Sequence, residues 1–222
     1  YSLSEQEVTT HPLVWPDDAE NIHLREYAFA PDASMYALAV SYSEDPPGSK
    51  DYLCKFDAQG SCLFLKEVTE NLRKDPENQT YINTMKLDAE GRIYLQGNDA
   101  VWMYDGEGSF QGKVSPASSG QAEDVWITSL LPSGEGGMYI SYTLMGSPDR
   151  SYTLAEIDFE TKDLKTAASS FPGDNQFSSG LDKHLLMQDR SALYRYDPKL
   201  QKEELLFYWM DCDINGNNVF WP

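Results

Sequence analysis

Short apolar stretches alternate with polar turn clusters along the whole chain, and many of the stretches place apolar residues at every second position. Period-two alternation marks a half-buried strand. A helical period is not sustained anywhere; the best helical window, 69–74, is short and stops at Asp75-Pro76. Two anchors recur. The first is an apolar–aromatic strand just after a turn: Met35-Tyr36-Ala37-Leu38, Ile93-Tyr94-Leu95, Met138-Tyr139-Ile140 and, more weakly, Leu185-Leu186-Met187. The second is an apolar residue, an Asp and a turn: Phe56-Asp57-Ala58-Gln59-Gly60, Tyr104-Asp105-Gly106-Glu107-Gly108, Ile157-Asp158-Phe159-Glu160 and Tyr196-Asp197-Pro198-Lys199. Asp at the first turn position accepts from backbone N–H groups ahead of it, and Gly takes the positive φ that closes a hairpin.

The anchors alternate four times, with 48, 53 and 39 residues between successive turn aspartates. Units of about 40–50 residues with four short strands each are the sequence signature of β-propeller blades. The inner strands (a) are predicted at 23–29, 81–87, 125–131 and 177–181, and each strand b follows the first turn. Strands c are predicted at 51–56, 100–104, 152–157 and 192–196, and strands d at 62–67, 110–114, 164–168 and 203–208. The expected fold is therefore all-β, one β-propeller domain over 1–222 with four blades near 22–68, 80–115, 124–169 and 176–210. Residues 211–222 read as the start of a fifth blade, as in a piece of a longer protein. The alternative is that residues 1–20 supply strands that close a small ring.

The pattern resembles degenerate NHL-like and quinoprotein-like propeller repeats, with the best matches at 88–95 and 104–108. That resemblance implies a fold and not a function. The stretch Trp209-x-Asp211-x-Asp213-Ile214-x-Gly216-x-x-Val219 also resembles the propeller-like N-terminal region of extracellular solute-binding lipoproteins of gut Clostridia. This second resemblance implies an extracellular or surface-tethered bacterial protein that helps capture a nutrient.

Charge narrows the partners. Lys+Arg is 17 against 36 Asp+Glu, a formal net charge of −19. Such a surface repels phosphate backbones and anionic lipid, which argues against nucleic acid and membrane-surface partners and leaves small molecules, glycans, proteins and cations. No apolar run approaches the ~18 residues of a membrane-spanning helix. The N-terminal Tyr1-Ser2-Leu3-Ser4 lacks Met and a signal-peptide pattern and reads as a mature start. Cys54 and Cys62 flank one turn and are either a pair or buried thiols, depending on hairpin register.

Candidate chemistry sits in the loops. From strand b to the turn aspartate is 21 residues in blade 1 and 19 in blade 3, but 11 in blades 2 and 4. The two insertions carry Asp45, Lys50 and Asp51, and Asp149 and Arg150. They are either ligand-binding loops on the face that carries the b–c and d–a connections or simple extensions of the hairpins. Trp126, near the start of an inner strand at that face, either stacks on a ligand or packs between blades. Asp211, Asp213 and Asn215, with Gly216, match the first half of a calcium loop, although Pro222 stands where a bidentate Glu belongs. They bind Ca²⁺ or form an Asx-rich turn; no other cofactor is indicated. His11, His23 and His184 are scattered, and no nucleophile motif occurs. The expected function is non-enzymatic ligand or protein recognition outside the cell. The alternatives are a glycosidase or lyase using channel carboxylates, and a structural spacer.

Overall fold

The computed structural model describes residues 11–16, 19, 21–44, 47–72, 81–117, 125–133, 137–145, 151–171, 176–179, 184–189 and 192–208. These form four four-stranded antiparallel sheets, each with its strands in sequence order, as propeller blades require. The chain folds as two compact units, Tyr1–Asn78 and Gln79–Pro222.

The first unit holds blade 1: β1 (Ile22–Phe29), β2 (Met35–Glu44), β3 (Pro47–Phe56) and β4 (Cys62–Glu67), followed by one helical turn, α1 (Thr69–Leu72). The second holds blade 2, β5 (Thr84–Leu87), β6 (Ile93–Gln96), β7 (Val101–Tyr104) and β8 (Phe110–Val114), and blade 3, β9 (Val125–Pro132), β10 (Met138–Leu144), β11 (Tyr152–Asp158) and β12 (Asp163–Phe171). Blade 4 follows with β13 (Gln176–Ser179), β14 (Leu185–Gln188), β15 (Ala192–Asp197) and β16 (Lys202–Tyr208). Two of the expected d strands, 62–67 and 110–114, coincide with the observed ones. The clearest difference is β3, which begins at Pro47 rather than at 51. The blade 1 insertion continues the ladder, with every pair from Met35↔Phe56 to Glu44↔Pro47 in register. Residues 209–222, where the fifth-blade reading falls, lie outside the described residues.

The four c–d hairpins share one local device. The Oδ1 atoms of Asp57, Asp105, Asp158 and Asp197 accept from N–H groups ahead of them, at Gln59 and Ser61, Glu107 and Ser109, Glu160 and Thr161, and Lys199 and Leu200. Each turn then needs one left-handed residue: Gly60 (φ 87°), Gly108 (73°), Lys162 (62°) and Gln201 (50°). At Gly60 a Cβ would also lie 2.5 Å from the Pro12 carbonyl oxygen, so glycine is required for space as well as for φ.

Alternation decides what each blade buries. In blade 1, Met35, Ala37, Ala39, Cys54 and Phe56 form one core, with Leu13 and Trp15 packed against it. Val14 bridges Ser61, and the Trp15 ring meets Phe56 edge-on at 5.0 Å. Cys54 and Cys62 are both free thiols. Cys54 stands opposite Leu65, whereas Cys62 stands opposite Phe56 across a bulge.

In the second unit, blades 2 and 3 share a core that includes Tyr94, Val101, Met103, Ile127, Met138, Ile140 and Ile157. Blades 3 and 4 share another, around Leu131, Tyr139, Leu154, Phe177, Met187 and Tyr196. A buried polar knot joins blades 2 and 3. The Asp88 carboxylate, in the β5–β6 turn, accepts from the N–H groups of Glu90 (3.0 Å) and Arg92 (2.9 Å), from Arg92 Nε and from the Tyr94 hydroxyl (2.9 Å). The Arg92 guanidinium then lies over the Phe159 ring, 4.6 Å from its centre. Burial first, and then the neighbouring Asp88 carboxylate, push the Tyr94 phenol pKa up.

Candidate functional site

The inner strand β9 begins at the end of the second unit that carries the b–c connections. There the tight β6–β7 hairpin, closed by Gly97 N–H to the Ala100 carbonyl at 2.9 Å, reaches β9 through backbone groups. Ile127 N–H donates to the Asn98 carbonyl at 2.7 Å, and Gln96 Nε2 donates to the Ile127 carbonyl at 3.1 Å. The hairpin must be this tight: a Cβ on Gly97 would lie 2.8 Å from the Trp102 ring and 3.3 Å from the Tyr81 carbonyl oxygen.

Trp126 sits one residue before this junction. Val125 and Ile127 are buried, whereas Trp126 and Thr128 face the other way, and Trp126 is 44% exposed. Of the two readings open in the sequence, this placement sets the ring at the surface. The signal was in the alternation, since Val-Trp-Ile-Thr puts Trp on the polar side of the strand.

Sequence reasoning missed an amide pair at the same junction. Asn83, in the lead-in to β5, donates from Nδ2 to Asn98 Oδ1 at 2.9 Å. Its own N–H is held by the Gln96 carbonyl at 2.7 Å. Two asparagines 15 residues apart carry no local signal; the β5–β6 register, with Thr84 opposite Gln96, is what brings them together. Just beneath, Gln96 is 3% exposed, and its Oε1 accepts from no protein donor among the described residues.

The blade 1 candidates lie in the first unit. Lys50 is exposed and paired with Glu67 at 2.9 Å. Asp51 is buried: its carboxylate meets Arg25 Nη1 at 3.2 Å, its N–H donates to Thr69 Oγ1 and its carbonyl accepts from Val68 N–H. Arg25 reaches it from the bulge in β1 between Leu24 and Glu26. Asp51 therefore ties β1, β3 and α1 together. Asp45, Asp149, Arg150, Asp211, Asp213 and Asn215 lie outside the described residues. Among the described residues no three His, Cys, Asp or Glu side chains converge as a metal centre requires, and no helix is long and apolar enough to cross a membrane.

No family model matches the chain, and no curated protein matches it by sequence. Solved structures do resemble it in fold. The β-propeller domain of the Trilobed protease from Pyrococcus furiosus superposes with a TM-score of 0.52 at 10% identity, over 87% of this chain and 61% of that one. An oligogalacturonate lyase, solved with manganese, gives 0.52 at 13% identity over 80% of this chain and 51% of that one. The extracellular domain of a one-component system from B. thetaiotaomicron gives 0.47 at 17% identity, over 92% of this chain and 24% of that one. The chain thus spans less than two thirds of each of these structures. Its own four-stranded blades, with the two likenesses above 0.5, define it as a β-propeller protein.

Proposed function

We propose that this chain is a non-enzymatic recognition module that works outside the cell as part of a surface-held bacterial solute-binding protein. The ligand meets the end of blades 2 and 3 at which β9 begins. One observation carries the reading: a tryptophan 44% exposed, next to a junction built from backbone and amide hydrogen bonds. A large aromatic that is held by its strand yet left open to water is a ready-made contact surface, because its apolar face is desolvated only when a partner covers it. The surface-tethered setting rests on the likeness of the 209–219 stretch to extracellular solute-binding lipoproteins and on the acidity of the chain, which suits neutral or cationic partners.

The test is a binding screen against glycans, peptides and cell-wall fragments, with Trp126→Ala and Tyr42→Ala run beside the wild type. Tyr42 is also exposed but lies in the first unit. The expected result is a hit that Trp126→Ala weakens and Tyr42→Ala leaves unchanged. A hit indifferent to Trp126→Ala would place recognition elsewhere. Turnover of the ligand by the wild type would contradict a non-enzymatic role.

A further inference from the structure

We infer that the ligand taken at this end of blades 2 and 3 is a neutral oligosaccharide, one sugar ring stacked on Trp126 and another hydrogen-bonded by the Asn83–Asn98 pair; this rests on the siting proposed above. Three features carry it.

The first is the indole. The axial C–H faces of a pyranose are apolar and flat, and they match an exposed indole face as an aromatic ring does. The second is the amide pair. Once Asn83 Nδ2 has bonded Asn98 Oδ1, Asn83 keeps its Oδ1 acceptor and Asn98 keeps its Nδ2 donors, with no further protein bond among the described residues. An acceptor and a donor side by side suit vicinal hydroxyl groups, each of which both donates and accepts. The pairing bond fixes the two amides in place, so little rotamer freedom remains to be lost on binding.

The third is charge. No cation takes part in the hydrogen bonds of this cluster, and the exposed Asp99 follows Asn98 directly. The Lys113 ammonium near this hairpin lies over the Trp102 ring, 4.7 Å from its centre, and a net charge of −19 disfavours a uronate or phosphosugar on this chain. Length follows from strand geometry. Ile127 turns toward the junction with blade 2, whereas Trp126, its neighbour in β9, points to the opposite side of the strand. A ligand that uses both the indole and the amides therefore has to cross the end of β9, which calls for more than one sugar unit.

The experiment uses ¹⁵N-labelled chain and five probes: cellohexaose, xylohexaose, mannohexaose, chitohexaose and hexagalacturonate, with a mixed peptide pool as the protein-type control. The Trp126 indole N–H is assigned with Trp126→Phe, and the side-chain amides with Asn83→Ala and Asn98→Ala. The expected result is saturable shifts of all three side-chain signals with at least one neutral hexasaccharide, and weaker or absent shifts with hexagalacturonate. Affinity should fall about tenfold or more in Trp126→Ala, partly recover in Trp126→Phe, and fall in the Asn83→Ala/Asn98→Ala double variant while its backbone spectrum stays folded. No response to any neutral sugar overturns the inference, as does preference for hexagalacturonate. A peptide that shifts Trp126 overturns the sugar class and leaves the siting intact. Sugar binding that ignores Trp126→Ala overturns both.

Discussion

Replacing Asp88 with Ala should destabilise the second unit far more than the same change at another turn aspartate of the same blade. The Asp88 side chain is fully buried and has four donors: two turn N–H groups, Arg92 Nε and the Tyr94 hydroxyl. Asp105 has the same pair of turn bonds, from Glu107 at 3.1 Å and Ser109 at 2.8 Å, but its other acceptor bond comes from Gln111 in a partly exposed setting. The turn bonds are worth about 1 kcal/mol each, so Asp105→Ala should cost about 1–2 kcal/mol. Asp88→Ala loses those bonds and also removes a buried ion-pair partner and the acceptor of a tyrosine that is 1% exposed. Arg92 keeps its pair with Glu90 at 2.7 Å and is 24% exposed, so the loss lies toward the low end of about 3–5 kcal/mol, a fall in Tm of roughly 6–20 °C across that range for a chain of this size. Denaturant and thermal unfolding of both variants test the difference. Tyr94→Phe, made alone and with Asp88→Ala, measures the coupling, expected at about 1 kcal/mol or more. If Asp88→Ala and Asp105→Ala unfold within about 1 kcal/mol of each other, the buried knot does not hold blades 2 and 3 as described.

Gly97→Ala should cost about 1–3 kcal/mol by overpacking, because the new Cβ meets the Trp102 ring at 2.8 Å; a midpoint shift in urea reads it, and unchanged stability would show that the hairpin relaxes freely. Trp15→Ala should cost about 1–3 kcal/mol in the first unit, since this partly buried ring covers the blade 1 core at Phe56, with loss of near-ultraviolet dichroism as the second readout. Burial pushes the Cys54 thiol up to about 12. Its thiolate forms more easily in the unfolded chain, so this contribution is intact below an unfolded value of about 8.5 and is lost as pH rises toward 12. The fall in Tm between pH 8 and pH 10.5 should therefore be shallower in Cys54→Ala than in the wild type.

The parts of the fold that were legible in the sequence are those set by neighbours in the chain. Asp57, Asp105, Asp158 and Asp197 bond N–H groups two to four residues ahead, so turn chemistry alone locates the hairpins. Alternation then places the strands on either side. Residue roles that depend on register were not legible. The blade 1 insertion reads in the sequence either as a binding loop or as an extended hairpin; the β2–β3 ladder runs up to Pro47 and draws Asp51 into a buried pair with Arg25, 26 residues away. Asp88 looks like another turn aspartate until Tyr94 and Arg92 close on it. The Asn83–Asn98 pair exists only because β5 and β6 align as they do. Trp126 lies between these cases, since its outward side follows from alternation, whereas the hold of its neighbour Ile127 on the Asn98 carbonyl follows from packing between blades.

The most direct test of recognition at the start of β9 is a crystal structure of the chain with the tightest ligand from the binding screen. Ligand density is expected against the Trp126 ring, with polar groups within hydrogen-bond distance of Asn83 or Asn98. Density seated elsewhere, with the Trp126 face left bare, would contradict it.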